Sequence, residues 1–210
     1  MKVGLISDIH GNLPALEAVV PRLRSVDQVL CLGDIVNYGP WNDECLELAH
    51  TLPRFQWVEG NHETLFLHPD HLTQEIPLVQ AFYHASFRRF TRGDLIRNLP
   101  TTLDLHGAHF THTLEGRKIY INTEISGSGQ WFIGHSHQSY CRTQPGFRLV
   151  NPGSVGQNRA QIRYAEFAIW DTESDALEFV RTEYDFDRVI AEMRSLNYPE
   201  ECLRYYLSKS

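Results

Sequence analysis

The amino-acid sequence predicts a domain of the α/β class. Short apolar runs alternate with segments whose apolar residues recur at helical spacing, which is the pattern of parallel βαβ units. The first three apolar runs end abruptly in polar residues, as strands do where they leave a buried sheet. The chain has 210 residues and no linker long enough to divide it, so we expect one domain over residues 1–210.

The first half of the chain predicts three strands, each followed by a helical segment. Asn12 is placed to cap the first helix, and Pro14 stands in its first turn, where a missing N–H does no harm. The predicted elements are a strand at 3–6, a helix at 13–23, a strand at 28–32, a helix at 41–52, a strand at 55–58 and a helix at 77–92.

The second half predicts short strands and closes with two helices. A turn-rich stretch, residues 171–175, lies between two strand patterns and indicates an antiparallel hairpin. Ser126–Gly129 has the composition of a flexible loop. The predicted strands are 101–105, 108–111, 131–133, 147–150, 166–170 and 176–181, and the helices contain Val189 and begin at Pro199.

The composition of the chain argues against several classes of function. No run of about 18 apolar residues and no signal peptide is present, so we expect a soluble, cytoplasmic protein that does not bind membranes. The net charge of −7 disfavours a stable complex with nucleic acid, which needs a cationic surface. The four cysteines are widely spaced, so neither a zinc knuckle nor a disulfide framework is indicated. The sequence leaves the oligomeric state open.

Polar side chains collect at the predicted strand ends. Imidazole, carboxylate and amide oxygen without thiolate form a ligand set for manganese, iron, zinc, cobalt or nickel. The set is too rich for one ion and suits two ions about 3.5–4 Å apart with one bridging carboxylate. The candidates are Asp8, His10, Asp34, Asn61, His62, His112, His135 and His137.

Five of these segments resemble the signature motifs of calcineurin-like metallophosphoesterases, and a sixth, Asn151–Ser154, resembles the small prokaryotic phosphodiesterase-like branch. The resemblance implies a sandwich of two mixed β-sheets with helices on both outer faces and metals at the strand ends. The five motifs are Asp8-Ile9-His10, Gly33-Asp34 with Gly39, Gly60-Asn61-His62-Glu63, His112 and Gly134-His135-Ser136-His137.

The resemblance also assigns the ligands. One ion is expected on Asp8, His10, Asp34 and His137, and the other on Asp34, Asn61, His112 and His135. Asp34 is the expected bridge, because a carboxylate has two oxygens to share between two ions. We expect two divalent transition-metal ions, with Mn²⁺ as the first choice and Fe, Zn, Co or Ni as the others.

The expected activity is hydrolysis of phosphate esters, most readily diesters, by attack of a metal-bridging hydroxide on a small phosphate-ester substrate. By analogy with the family, His62 stabilises or protonates the leaving oxygen. Two other classes of function stay open beside the phosphodiesterase. The first is a phosphomonoesterase or dinucleoside polyphosphate hydrolase, and the second is a non-catalytic interaction scaffold on the same fold, which the presence of His62 disfavours.

Several positions keep alternative interpretations. His106 and His109 compete with His112 as the metal ligand of the fourth motif, and we prefer His112 because it ends a strand.

Glu63 either orients His62 or a metal-bound water, or is an exposed loop acid. Asn37 and Tyr38 either contact substrate or pack structurally. Residues 64–100 form a possible helical cap over the site, and the Ser126–Gly129 loop is a second candidate for substrate selection.

Overall fold

The computed structural model describes residues 1–210 as two mixed, five-stranded β-sheets packed face to face. The strands are β1 (Lys2–Ile6), β2 (Gln28–Cys31), β3 (Gln56–Trp57), β4 (Thr102–Leu105), β5 (Ala108–Thr111), β6 (Gly129–Ile133), β7 (Ser139–Gln144), β8 (Phe147–Pro152), β9 (Tyr164–Asp171) and β10 (Leu177–Glu183). The first sheet has the order β10-β9-β1-β2-β3, and the second has the order β4-β5-β6-β8-β7.

Seven helices and one 3₁₀ segment complete the chain. The helices are α1 (Leu13–Leu23), α2 (Asn42–Ala49), α3 (Asn61–Leu67), α4 (Pro77–Phe87), α5 (Gly93–Ile96), α6 (Phe186–Ser195) and α7 (Glu200–Leu207), and the 3₁₀ segment is Pro69–Gln74. As expected, the Asn12 side chain caps α1 by accepting the backbone N–H of Ala15 at 3.2 Å. Every helix is too short or too polar to cross a lipid bilayer.

Parallel pairing brings the strand ends that matter to one edge. β1, β2 and β3 run parallel in the first sheet, and β5, β6 and β8 run parallel in the second. The two sheets bury an apolar layer between them that includes Leu5, Leu30, Phe110 and Phe132. The polar residues that follow β1, β2, β3, β5 and β6 can therefore meet at one end of the sandwich.

The helices build a larger core on the other face of the first sheet. Leu16, Val19 and Leu23 of α1 are fully buried there. In the same cluster, Phe82 of α4 lies 5.8 Å, between ring centroids, from Tyr206 of α7. Residues 64–100 are thus anchored in the main core by α4.

The predicted sandwich of two mixed sheets is confirmed, with one difference in its outer layers. The helices lie on the side of the first sheet, whereas residues 113–128, which contain no helix, cover the outer face of the second sheet. Ile119 from this segment is buried against Ile133 and Leu149 of that face. A short segment therefore replaces the expected second helical layer.

Two local features differ from the sequence-based expectations. Strand β7 was not predicted because it lies at the sheet edge, where only Tyr140 of its six residues is buried. The helix expected to reach Arg92 ends at Phe87. Asp43 explains this end, because its carboxylate accepts the backbone N–H of Thr91 at 3.0 and 3.1 Å and redirects the chain.

Candidate metal centre

The loops after five strands bring the predicted ligands into two neighbouring groups. Asp8, His10 and His137 form the first group, and Asp34, His112 and His135 form the second. In each group one candidate ligand atom per residue lies within 4.8 Å of the others. The oxygen of Asn61 belongs with the second group, since it lies 3.1 Å from Nε2 of His112.

The distances within the first group are short. Nε2 of His137 lies 3.2 Å from Oδ1 of Asp8, and Nε2 of His10 lies 3.7 Å from the same oxygen. The two Nε2 atoms lie 3.3 Å apart. These three atoms surround a point that one small cation could occupy.

The second group is equally compact, and Asp34 joins it to the first. Nε2 of His112 lies 3.1 Å from Oδ2 of Asp34 and 3.0 Å from Nδ1 of His135. The same Oδ2 lies 3.9 Å from Nε2 of His10 in the first group. Oδ1 of Asp34 instead accepts the backbone N–H of His62 at 2.9 Å, so Oδ2 is the oxygen that faces both groups. The expectation that Asp34 shares both of its oxygens between two ions stays a prediction.

Backbone carbonyls set the protonation of three of the histidine rings. Nδ1 of His10, His112 and His137 each donates to a carbonyl oxygen, of Val36 at 3.2 Å, Leu32 at 2.6 Å and Gln157 at 2.7 Å, respectively. Because a carbonyl oxygen can only accept, the Nδ1 atoms carry protons, and in the neutral rings the Nε2 lone pairs face the carboxylates. This is the tautomer that binds a metal through Nε2.

The donor set fits divalent cations. Oδ1 of Asp8 and Oδ2 of Asp34 are buried and have no hydrogen-bond partner. Buried, unpaired carboxylate oxygens that face histidine lone pairs are unfavourable unless a positive charge lies between them. Two carboxylates and four neutral rings carry two negative charges, so two divalent ions would leave a net positive centre that attracts an anionic substrate.

The titration behaviour of the histidines indicates the same need for positive charge. Burial by itself lowers the pKa of His112, but the neighbouring Asp34 carboxylate raises it to about 9. For His135, burial and the neighbouring His112 lower the pKa to about 3. Burial raises the pKa of Asp34, yet His112 and His62 together bring it well below its usual range. The Asp34 carboxylate thus favours a positive charge beside it, which a bound cation would supply.

The backbone of the centre is strained. Asp8, His10, Asp34, His135 and His137 all have positive φ, between 51° and 67°. Non-glycine residues rarely adopt this conformation, and each such residue costs about 1–3 kcal/mol. The surrounding contacts must therefore hold the ligand loops in place.

Glu63 holds the loop that carries Asp34. Its side chain is fully buried. Its Oε2 accepts the backbone N–H of Asp34 at 2.8 Å and of Gly60 at 2.9 Å, and its Oε1 accepts those of Ile35 at 2.8 Å and Val36 at 3.2 Å. Burial and the charge of Asp34 raise its pKa to about 7. Glu63 is therefore not an exposed loop acid, and it makes no hydrogen bond to the His62 ring. The third expectation, that it orients a metal-bound water, stays a prediction.

His62 lies beside the two groups and is oriented by Asn37. Oδ1 of Asn37 accepts from the backbone N–H of Tyr38 at 2.7 Å and from the Ser86 hydroxyl at 3.1 Å. The amide nitrogen of Asn37 must therefore face Nδ1 of His62, at 2.8 Å, and that ring nitrogen accepts. The proton of neutral His62 is then on Nε2, which lies 4.0 Å from Oδ2 of Asp34.

Asn37 and Tyr38 have structural positions. Asn37 is fully buried and Tyr38 nearly so, and the Tyr38 ring packs between the rings of His10, His62 and Phe82. Both side chains thus have a packing role, and their contact with substrate stays a prediction. Burial also lowers the pKa of His62 to about 4.

The Asn151–Ser154 segment braces two ligand loops, a role that sequence reasoning missed. The Asn151 amide donates to the carbonyl of Gly134 at 2.6 Å, just before the predicted ligand His135. The Ser154 hydroxyl donates to the carbonyl of Asp8 at 2.8 Å. An Asn-Pro-Gly-Ser turn directly after a strand was the available signal, but only the fold shows which loops it contacts.

The structure places the competing histidines away from the centre. Nδ1 of His109 lies 2.5 Å from Oδ1 of Asp104, and its ring stacks on Trp131 with centroids 4.3 Å apart. His106 contacts Gln28 at 2.9 Å. Of the three, only His112 joins the other predicted ligands, because it follows β5 at the common edge.

Only one of the two segments considered for substrate selection lines a cleft beside the centre. His71, Gln74 and Glu75, within residues 64–100, line a cleft of about 190 Å³ that includes Asn61. The Ser126–Gly129 loop instead borders a cleft on the outer face of the second sheet, with Trp131 and Phe147. The expectation that residues 64–100 act as a cap stays a prediction.

Comparisons with known proteins agree with this architecture. A model of the calcineurin-like phosphoesterase superfamily domain matches residues 1–175. The uncharacterized protein MJ0912 of Methanocaldococcus jannaschii is 27% identical over 236 aligned positions, covering 94% of each chain. A metallophosphoesterase from Sphaerobacter thermophilus covers 100% of both chains with a TM-score of 0.79 at 24% identity. Hypothetical protein PH1004 from Pyrococcus horikoshii OT3 covers 98% of this chain and 97% of its own, with a TM-score of 0.85 at 21% identity.

Two mixed sheets with histidine and aspartate groups at their common edge define the metallophosphoesterase fold. The match over residues 1–175 then identifies the family. The chain belongs to the calcineurin-like phosphoesterase superfamily.

Proposed function

We propose that this protein is a dinuclear, metal-dependent phosphoesterase that acts on phosphodiesters. The observation that carries the proposal is the pair of buried, unpartnered oxygens, Oδ1 of Asp8 and Oδ2 of Asp34, each facing imidazole lone pairs. Family membership supports phosphate-ester hydrolysis as the reaction.

The ligand assignment follows the two groups. Asp8, His10 and His137 would hold one ion, and Asn61, His112 and His135 the other, with Oδ2 of Asp34 common to both. When bound, two divalent ions lower the pKa of water and neutralise charge on the phosphate oxygens. We propose Mn²⁺ first, because oxygen and imidazole ligands without thiolate suit it.

In this proposal His62 acts as a neutral hydrogen-bond donor. Asn37 keeps Nδ1 of His62 as an acceptor, so only Nε2 can donate towards the centre. A second proton on Nδ1 would face the Asn37 amide protons, and burial already lowers the pKa of the ring to about 4. Of the two roles considered from the sequence, stabilising the leaving oxygen by a hydrogen bond is therefore favoured over protonating it.

Replacing His62 by Ala is expected to reduce kcat by about 10²–10³-fold on a diester with a poor leaving group, the effect of removing one donor to a developing negative charge. Because the ring is neutral above about pH 4, wild-type kcat should not fall as pH rises from 6 to 8. Both are measured by steady-state kinetics over this range. His84→Ala, which alters an exposed histidine on α4, is the control. A decline of wild-type kcat with an apparent pKa of 6–7 that is lost in His62→Ala would show that His62 acts as an acid.

The clefts beside Asn61 favour a diester over a monoester. Two clefts include Asn61, the cleft of about 190 Å³ described above and a second of about 210 Å³. Neither is lined by Arg or Lys, whereas Glu75 lines the first and Glu59 the second. A monoester carries an additional negative charge on its phosphate, and the nearby carboxylates of Glu59 and Glu75 disfavour it more than they disfavour a diester.

The Mn²⁺-reconstituted protein is therefore expected to hydrolyse bis-p-nitrophenyl phosphate with a kcat/KM at least about tenfold above that for p-nitrophenyl phosphate, which is a difference of about 1.4 kcal/mol in the barrier. The measurement is release of p-nitrophenol from each substrate at one pH and ionic strength. A preference for the monoester would contradict the proposed substrate class. No turnover of either substrate would favour the scaffold alternative.

A further inference from the structure

A small cleft opens beside two of the predicted ligands. It has a volume of about 210 Å³, below the range of about 300–1,000 Å³ typical of pockets for drug-sized ligands. No aromatic or aliphatic core residue lines it. Its lining residues are Glu59, Gly60, Asn61, Thr64, Thr101, Thr111, His112 and Thr113. Because Asn61 and His112 belong to the centre, the cleft is continuous with the place where a phosphate would bind.

The threonine hydroxyls of the cleft divide into two kinds. Thr64 donates to the Glu59 carboxylate at 2.6 Å, and Thr111 donates to the carbonyls of Thr101 at 3.0 Å and Thr113 at 3.1 Å. These two hydroxyls are fixed by the protein. The hydroxyls of Thr101 and Thr113 make no hydrogen bond within the protein, and only Oε1 of Glu59 is used. The cleft therefore offers free groups that both donate and accept.

The same lining disfavours other chemical groups. A nucleobase is held by stacking on aromatic side chains, and none lines this cleft apart from the predicted ligand His112. A second phosphate is held by Arg or Lys, and neither is present, while Glu59 would repel it. An alkyl group would leave the free hydroxyls without partners. A small, neutral group that carries hydroxyls satisfies all of these conditions.

We propose that this threonine cleft, formed by Glu59, Thr64, Thr101, Thr111 and Thr113, binds a neutral, hydroxylated alcohol group of the substrate, such as glycerol or a small sugar. The proposal rests on the proposed function, since it takes the neighbouring centre to bind the phosphate. Thr101 and Thr113 are the residues that determine specificity, because their hydroxyls are free.

Binding of two matched phosphates to the Mn²⁺-loaded protein tests the proposal without requiring turnover. Glycerol 3-phosphate and propyl phosphate differ in two hydroxyl groups and not in chain length. Isothermal titration calorimetry should show that glycerol 3-phosphate binds about three- to tenfold more tightly, the effect expected for one or two hydrogen bonds. In Thr101→Val/Thr113→Val, which keeps the side-chain shape, the preference should fall below about twofold. Thr143→Val, at an exposed position of β7 outside the cleft, is the matched control and should keep it.

Equal affinities of the wild-type protein for the two phosphates would overturn the proposal, and so would a preference that survives in the double variant. Turnover of bis-p-nitrophenyl phosphate, followed in parallel, separates this proposal from the proposed function. Turnover without a preference for glycerol 3-phosphate overturns the threonine cleft alone. A preference that depends on Thr101 and Thr113, without turnover of any diester, supports the cleft and contradicts phosphodiesterase activity.

Discussion

Replacing Asp34 by Asn is expected to reduce kcat/KM for a diester by about 10²–10⁴-fold, because the ions that stabilise charge in the transition state by several kcal/mol lose their shared ligand. The structure indicates how an Asn side chain would be oriented at this position. Oδ1 of Asp34 accepts the backbone N–H of His62, so an Asn retains that bond only if its amide nitrogen replaces Oδ2. A donor then faces the position that both groups of ligands share.

Metal content distinguishes the loss of the shared ligand from a general loss of structure. Asp34→Asn should bind at least one ion fewer per chain than the wild type, measured by inductively coupled plasma mass spectrometry after gel filtration. Asp187→Asn removes a negative charge from an exposed carboxylate on α6 and should leave both metal content and turnover unchanged. Wild-type turnover in Asp34→Asn would show that Asp34 is not the bridging ligand.

Glu63→Gln should lower both stability and activity, although Glu63 is not a predicted ligand. An amide group replaces one carboxylate oxygen, and each of these oxygens accepts two buried backbone N–H groups. Two unpaired donors destabilise the fold by about 3 kcal/mol or more. The strained Asp34 backbone also loses its support, and a displacement of about 1 Å at a reacting centre reduces the rate by about 10²-fold.

Urea unfolding and turnover measure the two effects of Glu63→Gln together. The expected result is a lower unfolding midpoint with an unchanged m-value, together with weaker retention of metal. Glu201→Gln, at an exposed position in the first turn of α7, is the control and should match the wild type. If Glu63→Gln unfolds at the wild-type urea concentration and retains wild-type turnover, the hydrogen bonds of Glu63 do not support the centre.

The sequence predicted the parts of the centre that depend on strand ends. Apolar runs that break into Asp8, Asp34 and Asn61 indicate where parallel strands terminate, and parallel strands terminate at one edge. His112 could be preferred over His109 for the same reason, since His112 directly follows β5 and His109 lies within it. The supporting contacts could not be predicted in this way. Glu63 binds backbone groups 27 to 29 positions earlier in the chain, and no local pattern encodes that contact.

The predicted fold was less complete where apolar patterning is weak. Residues 113–128 have no helical spacing, and only the structure shows that Ile119 covers the second sheet. Strand β7 pairs with β8 through six residues of mostly polar sequence, so its place depends on backbone hydrogen bonds and not on a buried face. Edge strands are generally the elements that side-chain patterns indicate least clearly.

The proposed dinuclear centre is tested most directly by titrating metal-stripped protein with Mn²⁺ while following hydrolysis of bis-p-nitrophenyl phosphate. The two groups of predicted ligands share Oδ2 of Asp34. We therefore expect activity to be low with one ion bound per chain and to rise until two are bound. Full activity at one ion per chain, or turnover that persists in the metal-stripped protein, would contradict a dinuclear, metal-dependent phosphoesterase.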